Sequence, residues 1–476
     1  MSQATINKKK KHFTLPDAWV LMMIIVVIAI ICTWIIPAGE YARETDPDTG
    51  NTMVVPGSYA NVEQNPVGIL GLFCIVPKAL QDVAGIFFFV ILIGGGLSVV
   101  SSTGAFNAMV NALLRKMGNN GRLLIFLLVY FFGLCSSSAG FCSEYLVFIP
   151  ILITLFRAMG YDAMVAIGLT MGAASAGYGA APINPFNVGV SQSMAGLPMF
   201  SGMGLRWVLW FIAFTALAMY LYHYAEKVRK NPSASLIPDY DYSAYEIDAA
   251  TANDKITGRQ KIILGIFFAA IAFLIFASVK GNILGPWYTY SAIFFVMGIL
   301  CGVVAGYSGN KIVEVYLDGC KNFLYAATVL GAARAICMVL EDGQIIDTIV
   351  KGLVAPLQLF GSKSAYAASI IMTWIQVLLN VIMPSNSGQA LATMPILLPL
   401  GDLVGLNKQI TVLAFQMGDG FTMMLFPTCG YIMAALAMAK ISFGKWMKFI
   451  LPLAAFWMVL AMVTLVVAVA INYGPF

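Results

Sequence analysis

Apolar residues run in long blocks along this chain, and short polar segments interrupt them at only a few places. The blocks near residues 15–36, 84–102, 205–224, 261–279, 287–305 and 323–341 are each long enough to cross roughly 30 Å of hydrocarbon as a helix. None shows the roughly ten-residue alternation of a membrane barrel strand. Four further blocks are broken near their centres. Leu123 to Phe156 is interrupted at Ser136–Glu144, residues 363–401 at Pro384–Gln389, and the blocks beginning near residues 162 and 407 at Gly179–Asn187 and Gly418–Thr428. An unpaired backbone amide or carbonyl in hydrocarbon costs several kcal/mol, so a break at depth is tolerated only against protein or a water-filled cavity. The pattern predicts an all-α polytopic membrane protein with two re-entrant helical hairpins, about 122–157 and 363–401, and two broken helices.

The breaks come in pairs because the halves of the chain match. Gly104 and the apolar stretch after it align with Gly343, a shift of 239 residues, and Pro150, Gly160 and Pro182 align with Pro395, Gly405 and Pro427, a shift of 245. Internal repeats of this kind are a signature of secondary transporters, with the binding site at the repeat interface. Charge sets the orientation of each half. With Lys8–Lys11 in the cytoplasm by the positive-inside rule, the acidic segment 43–63 falls outside, and Arg115, Lys116, Arg122 and Arg157 return inside. Carried through Lys227, Arg229, Lys230, Lys440, Lys445 and Lys448, the same count makes the span at 323–341 run opposite to that at 84–102 and leaves the C-terminus outside. The repeats are therefore expected to be inverted. The divisions are a cytoplasmic segment 1–14, a first half 15–225, a cytoplasmic linker 226–259 and a second half 260–476. A short amphipathic piece, Lys311 to Lys321, is expected before the 323–341 span.

Composition narrows the function. Hydrophobic residues make up 60% of the chain and charged residues 10%, and the mean hydropathy of +0.85 lies far outside the soluble range. The net charge of +5 sits beside the spans and forms no basic face, which argues against nucleic-acid binding. Two histidines leave no material for a histidine metal centre, and eight cysteines scattered without a CxxC pair read as packed thiols. No metal site and no cofactor is expected beyond Na⁺ or H⁺ as a coupling ion. No nucleophile with an adjacent base stands at any break, which disfavours an enzyme.

The breaks supply the candidate site. Helix ends exposed there offer N–H groups to a carboxylate or carbonyls to a cation. Ser136, Ser137, Ser138, Asn184, Asn187, Ser385, Asn386, Ser387, Gln389, Thr422 and Thr428 add neutral hydrogen-bonding groups, and Gly140 permits close backbone approach. Glu144 and Asp419 are the charges at depth, each suited to a proton, Na⁺ or a substrate ammonium. Arg334 is expected to pair with an acid. Gly94–Gly96 reads as helix packing.

The IPAGEY at 36–41, the NPF at 184–186 followed by VGVSQ, the PSNSGQA at 384–390, FQMGDGFT at 415–422 and PT at 427–428 resemble the YfcC branch of the C4-dicarboxylate anaerobic carrier family, over nearly the whole chain. The resemblance implies the ion-transporter superfamily fold, with a dimeric scaffold domain, a transport domain carrying two opposed hairpins, and elevator-type alternating access. It leaves two substrate classes open, since founding members carry dicarboxylates and some YfcC-type members are linked to arginine and ornithine exchange. This branch often carries two adjacent acids at the first tip, where Cys142-Ser143-Glu144 offers one.

Together these features predict a secondary active transporter of a small charged metabolite, multi-pass in the cytoplasmic membrane with its N-terminus inside, and a homodimer in the lipid bilayer. Acids and neutral donors at the breaks, without Arg or Lys, favour an amino acid with a free ammonium over a C4-dicarboxylate. An ion channel is the alternative of a different class, and paired closed hairpins argue against it.

Overall fold

A computed structural model describes residues 18–45, 52–117, 120–243, 256–280, 286–360 and 364–474. The basic run Lys8–Lys11, with the rest of segment 1–14, and the linker residues 244–255 lie outside the described residues. The first span is α1 (Ala18–Ile35). It leads into four short strands, β1 (Gly39–Glu40), β2 (Arg43–Thr45), β3 (Thr52–Val54) and β4 (Ala60–Asn61). β1 pairs antiparallel with β4 and β2 with β3, in register Gly39 to Asn61 and Arg43 to Val54. The acidic connector is thus a small β-flap, where apolar patterning gives no strand signal because the strands are only two or three residues long.

The helices of the first half follow as α2 (Ile69–Asp82), α3 (Ala84–Ser102), α4 (Ala105–Met117), α5 (Gly121–Ala139), α6 (Ile149–Ala158), α7 (Ala163–Gly179), α8 (Val190–Met194) and α9 (Met203–Lys230). A 3₁₀ segment, Ser143–Phe148, precedes α6, and a π-helical turn, Pro185–Gly189, precedes α8. The second half contains α10 (Gly258–Lys280), α11 (Pro286–Ala305), α12 (Gly309–Asp342), α13 (Ile346–Phe360), α14 (Ala365–Leu379), α15 (Asn386–Leu403), α16 (Lys408–Gly420), α17 (Gly430–Met438) and α18 (Phe443–Ala470). Among the described residues, seven helical segments are long and apolar enough to span a bilayer. The protein is an all-α polytopic membrane protein.

Two packed groups divide the helices. α1, α2, α3, α11 and α12 pack together, with α10 against α11 and α4. α5, α7, α9, α14, α15, α16 and α18 form the other group, which meets the first along α12 and α17. Small residues make the first group tight. A Cβ on Gly94 would lie 2.5 Å from Phe323, one on Gly95 2.2 Å from Tyr316, and one on Gly96 2.5 Å from the Phe294 carbonyl. These three glycines are packing residues that let α3 sink between α11 and α12.

The same packing corrects the expected piece Lys311–Lys321. It is the first part of one continuous helix, α12, because Gly319 does not break it but seats it, its Cβ position falling 2.4 Å from the Gly94 carbonyl. The linker expected at 226–259 is also partly folded. α9 continues to Lys230, and the segment after it returns to the junction of α6 and α7, where Ser235 Oγ donates to Asp162 Oδ2 at 2.7 Å and the Arg157 guanidinium stacks 4.3 Å above Tyr242.

Candidate functional site

Two helices end inside the protein because glycine and proline stop them there. α7 stops at Gly179, ahead of Pro182 and Pro185, and α16 stops at Gly420, ahead of Pro427. The two C-terminal ends touch. A Cβ on Gly420 would fall 2.1 Å from the Gly179 nitrogen, so only glycine admits this contact. Carbonyls freed by the breaks find side chains of the opposite half: Ser175 Oγ donates to the Gly420 carbonyl at 2.8 Å, and Gln416 Nε2 donates to those of Tyr178 at 3.3 Å and Ala181 at 2.8 Å.

The first tip turns at Gly140, whose left-handed φ of 70° closes α5 and whose carbonyl accepts the Tyr178 hydroxyl at 2.7 Å. Glu144 is buried and bends back onto its own turn, accepting the Cys142 N–H at 3.1 Å and the Ser143 hydroxyl at 3.2 Å. Asn184 staples this tip to the break in the next helix. Its Nδ2 donates to the Ser136 carbonyl at 3.0 Å, and its Oδ1 accepts the N–H groups of Phe186 and Asn187. Ser136 Oγ donates to the Ala174 carbonyl at 3.3 Å, Ser137 accepts the Trp210 indole N–H at 2.8 Å, and Ser138 is exposed and bonds back to Leu134. Of the three serines, Ser136 alone binds both the break and its staple.

At the second tip Ser385 caps α15, its Oγ accepting the Gly388 N–H at 3.3 Å, and Ser387 lies half-buried beside it. Gln389 points away from the tip into the hairpin, donating to Gln376 Oε1 at 2.7 Å. Asn386 points inward to Asp419.

Asp419 is fully buried and is the point where the elements converge. Its Oδ2 accepts the side-chain amides of Asn187, at 2.8 Å, and Asn386. Asn380, at the end of α14, donates to the Asp419 carbonyl at 2.8 Å and to Thr422 Oγ1 at 3.0 Å, while Thr428 Oγ1 donates to the Asn380 carbonyl at 3.2 Å. Three buried oxygens of this cluster have no hydrogen-bond partner: Asp419 Oδ1, Asn187 Oδ1 and Asn380 Oδ1. All three are acceptors and one belongs to a carboxylate, so the centre is built for a cation or a hydrogen-bond donor. Glu144 is bonded to its own tip and is not hydrogen-bonded into this cluster.

Beside the second tip lies a cavity of about 580 Å³, bounded by the β-flap, α12 and residues Ser385, Gly388 and Thr428. Arg334 lies on its wall and is paired, Nε 2.7 Å from Asp82 and Nη1 2.8 Å from Glu341.

Sequence reasoning missed Asn380, Gln416 and Arg206. Asn380 and Arg206 are single polar groups within or at the edge of apolar runs, and Gln416 lies one helical turn before Asp419 in FQMGDGFT, which is the signal that was present. Arg206 is fully buried at the start of α9, donating from Nε to Gln416 Oε1 at 2.9 Å, from Nη1 to the Ser201 carbonyl at 2.9 Å and from Nη2 to Gln409 Oε1 at 3.2 Å.

Spanning helices interrupted at depth, with their ends gathered around a buried acceptor cluster, define a membrane transporter. The chain belongs to the C4-dicarboxylate anaerobic carrier family, whose sequence profile matches residues 15–470. It is 29% identical over 517 residues to a Haemophilus influenzae protein of unassigned function, covering 98% of this chain and 99% of that one. It is also 29% identical over 487 residues to YfcC of Escherichia coli strain K12, named as a candidate basic amino acid antiporter, covering 94% and 95%. Among solved structures, it is similar to the Alcanivorax borkumensis YdaH transporter, with TM-score 0.44 and 17% identity over 97% of this chain and 100% of that one. A second likeness is to Neisseria gonorrhoeae MtrF, described among antimetabolite efflux pumps, with TM-score 0.41 and 20% identity over 95% of each chain.

Proposed function

We propose that this transporter is a secondary active carrier of amino acids with a free ammonium, exchanging basic amino acids of the arginine and ornithine type across the cytoplasmic membrane. The observation that carries the reading is the Asp419 centre, where one oxygen of a buried carboxylate and two amide oxygens lack donors. An ammonium supplies those donors together with the charge that a buried carboxylate requires. The name of the Escherichia coli relative supports the same substrate class. In this reading Asp419, Asn187 and Asn380 offer their free oxygens to the bound ammonium, with Asn386 and Thr422 beside them; Ser385 and Thr428 face it from the cavity side, Ser387 supports the second tip, and Ser136, Gly140, Asn184 and Glu144 shape the opposed tip. Glu144 and Asp419 are the positions for a coupling Na⁺ or proton.

A second reading follows from the N-terminus of α15. Ser385 and Gly388 place that helix end on the cavity wall, where free N–H groups suit a carboxylate. Asp419 then holds the coupling cation and the cargo is a C4-dicarboxylate, as the family description has it.

Carriage proceeds by elevator motion of the group containing α5, α7, α14 and α16 against the group containing α3, α11 and α12, which forms the scaffold of a homodimer. The N-terminus is cytoplasmic and the β-flap extracytoplasmic, following the positive-inside rule. Counterflow into proteoliposomes separates the readings. Labelled arginine or ornithine is expected to enter against the unlabelled partner, while succinate and fumarate are excluded. Uptake of succinate alone, stimulated by Na⁺ or a pH gradient, would overturn the amino acid reading in favour of the dicarboxylate. Unitary currents in a planar bilayer would replace both with a channel.

A further inference from the structure

The IPAGEY segment takes no part in the Asp419 centre, yet each residue of its second half has a defined place. Gly39 is fixed by space, since a Cβ there would lie 2.1 Å from the Tyr59 hydroxyl. Its N–H donates to the Gln344 carbonyl at 2.9 Å, and the Tyr41 N–H donates to Asp347 Oδ2 at 2.9 Å. Between these two anchors Glu40 lines the 580 Å³ cavity that reaches Ser385, Gly388 and Thr428. Gln344 holds the carboxylate from the other side, donating from Nε2 to Glu40 Oε1 at 2.7 Å. Gln344 itself sits in the turn that closes α12, with a left-handed φ of 52° and the Ile345 N–H donating to the Leu340 carbonyl.

Charge on the cavity wall is otherwise matched. Arg43 contacts both oxygens of Asp347 at 2.9 Å, and Arg334 is shared between Glu341 and Asp82. Among the described residues, Glu40 is the one charged lining group with no ion-pair partner, its recorded bond being to a neutral amide.

We propose that Glu40 is a specificity-determining residue of this carrier, a fixed negative charge on the cavity wall that concentrates cationic substrate beside the second hairpin. For its substrate the inference rests on the basic amino acid reading, and for its place it rests on the cavity and the IPAGEY anchors. A fixed charge in a low-dielectric cleft raises the local concentration of opposite charge and the encounter rate, and salt removes the effect. Glu40 acts on arrival and does not hold the bound cargo, so it alters KM and leaves kcat in place.

The full-length protein in proteoliposomes provides the test, with arginine, ornithine and succinate at low and high salt. Glu40→Gln keeps an oxygen for Gln344 Nε2 and is expected to raise the KM for the basic amino acid about three- to tenfold at low salt, with kcat retained and the difference lost at high salt. Glu40→Lys is expected to raise it further. Equal KM for wild type and Glu40→Gln at low salt, or a rise that persists at high salt, would overturn the inference. If the wild type carries succinate and not arginine, the amino acid reading fails on its own. Glu40→Gln then upholds the charge role by lowering the succinate KM at low salt, and an unchanged succinate KM overturns it.

Discussion

Asp419 uses one oxygen to gather two amides and leaves the other bare, which separates its two duties. Oδ2 holds the π-helical turn and the second hairpin together through Asn187 and Asn386, and Oδ1 is left without a donor. Asp419→Asn retains an acceptor for those amides but loses the charge. It is expected to weaken cation binding by about 2–5 kcal/mol, a factor of roughly 30 or more, while the melting temperature in detergent stays near wild type. Asp419→Ala strands both amides, each at about 1–3 kcal/mol, so it is expected to melt earlier than Asp419→Asn. Binding calorimetry and thermal unfolding of the two variants separate these effects. The residues of this centre were legible where they lie in a polar break of an apolar block, as with Asp419 and Asn187, and not where one polar group stands inside a helical run, as with Asn380. Adjacency in a motif says less, because neighbours on a helix point to different faces: Ser136 reaches the break, Ser137 meets Trp210 and Ser138 is exposed. Arg206 was not legible as a structural hub, since Gln409 and Gln416 lie 203 and 210 positions away along the chain.

At the scale of elements, the crossing of α7 and α16 is fixed by two glycines with no room between them. Gly420→Ala places its methyl carbon against the Gly179 backbone, which cannot rotate aside as a side chain would. The substitution is expected to cost about 1–3 kcal/mol or more and to abolish transport by displacing Asp419, one residue away. Gly265→Ala is the control, with nothing within 4 Å of its added carbon and a helical position, and it is expected to be neutral or to stabilise by up to about 1 kcal/mol. Melting in detergent and initial uptake rates check both. The hairpins and breaks could be read from the chain because hydrocarbon forbids irregular backbone unless something lies beside it. The β-flap could not, because its pairing is too short to pattern. The continuity of α12 escaped for a different reason: its charged first part, Lys311 to Lys321, reads as a separate amphipathic piece, yet it runs on into the apolar span with Gly319 seated against Gly94.

For the whole molecule, the β-flap touches both packed groups. It is anchored to the α12–α13 turn through Gln344 and to α13 through Asp347, and β3 lies against α15. Val55 on the flap and Met194 on α8 line one small cavity across that seam. An elevator motion must open it. Cysteines at Val55 and Met194, in a background free of the eight native thiols, are expected to stop transport when joined by a short thiol crosslinker and to regain it when a reducible linker is cleaved. Unimpaired transport in the joined state would exclude motion across the seam. The buried guanidinium of Arg206 has a consequence of another kind, for how the chain is made. α9 leaves the ribosome about two hundred residues before Gln409 and Gln416 exist, so Arg206 enters the membrane region with the Ser201 carbonyl but without the two side-chain acceptors that later surround it. A nascent chain ending before residue 408 is therefore expected to hold α9 loosely, as read by accessibility of a cysteine at Gly204, and Arg206→Leu is expected to secure it. On this expectation the first half completes its insertion only once the second has been made.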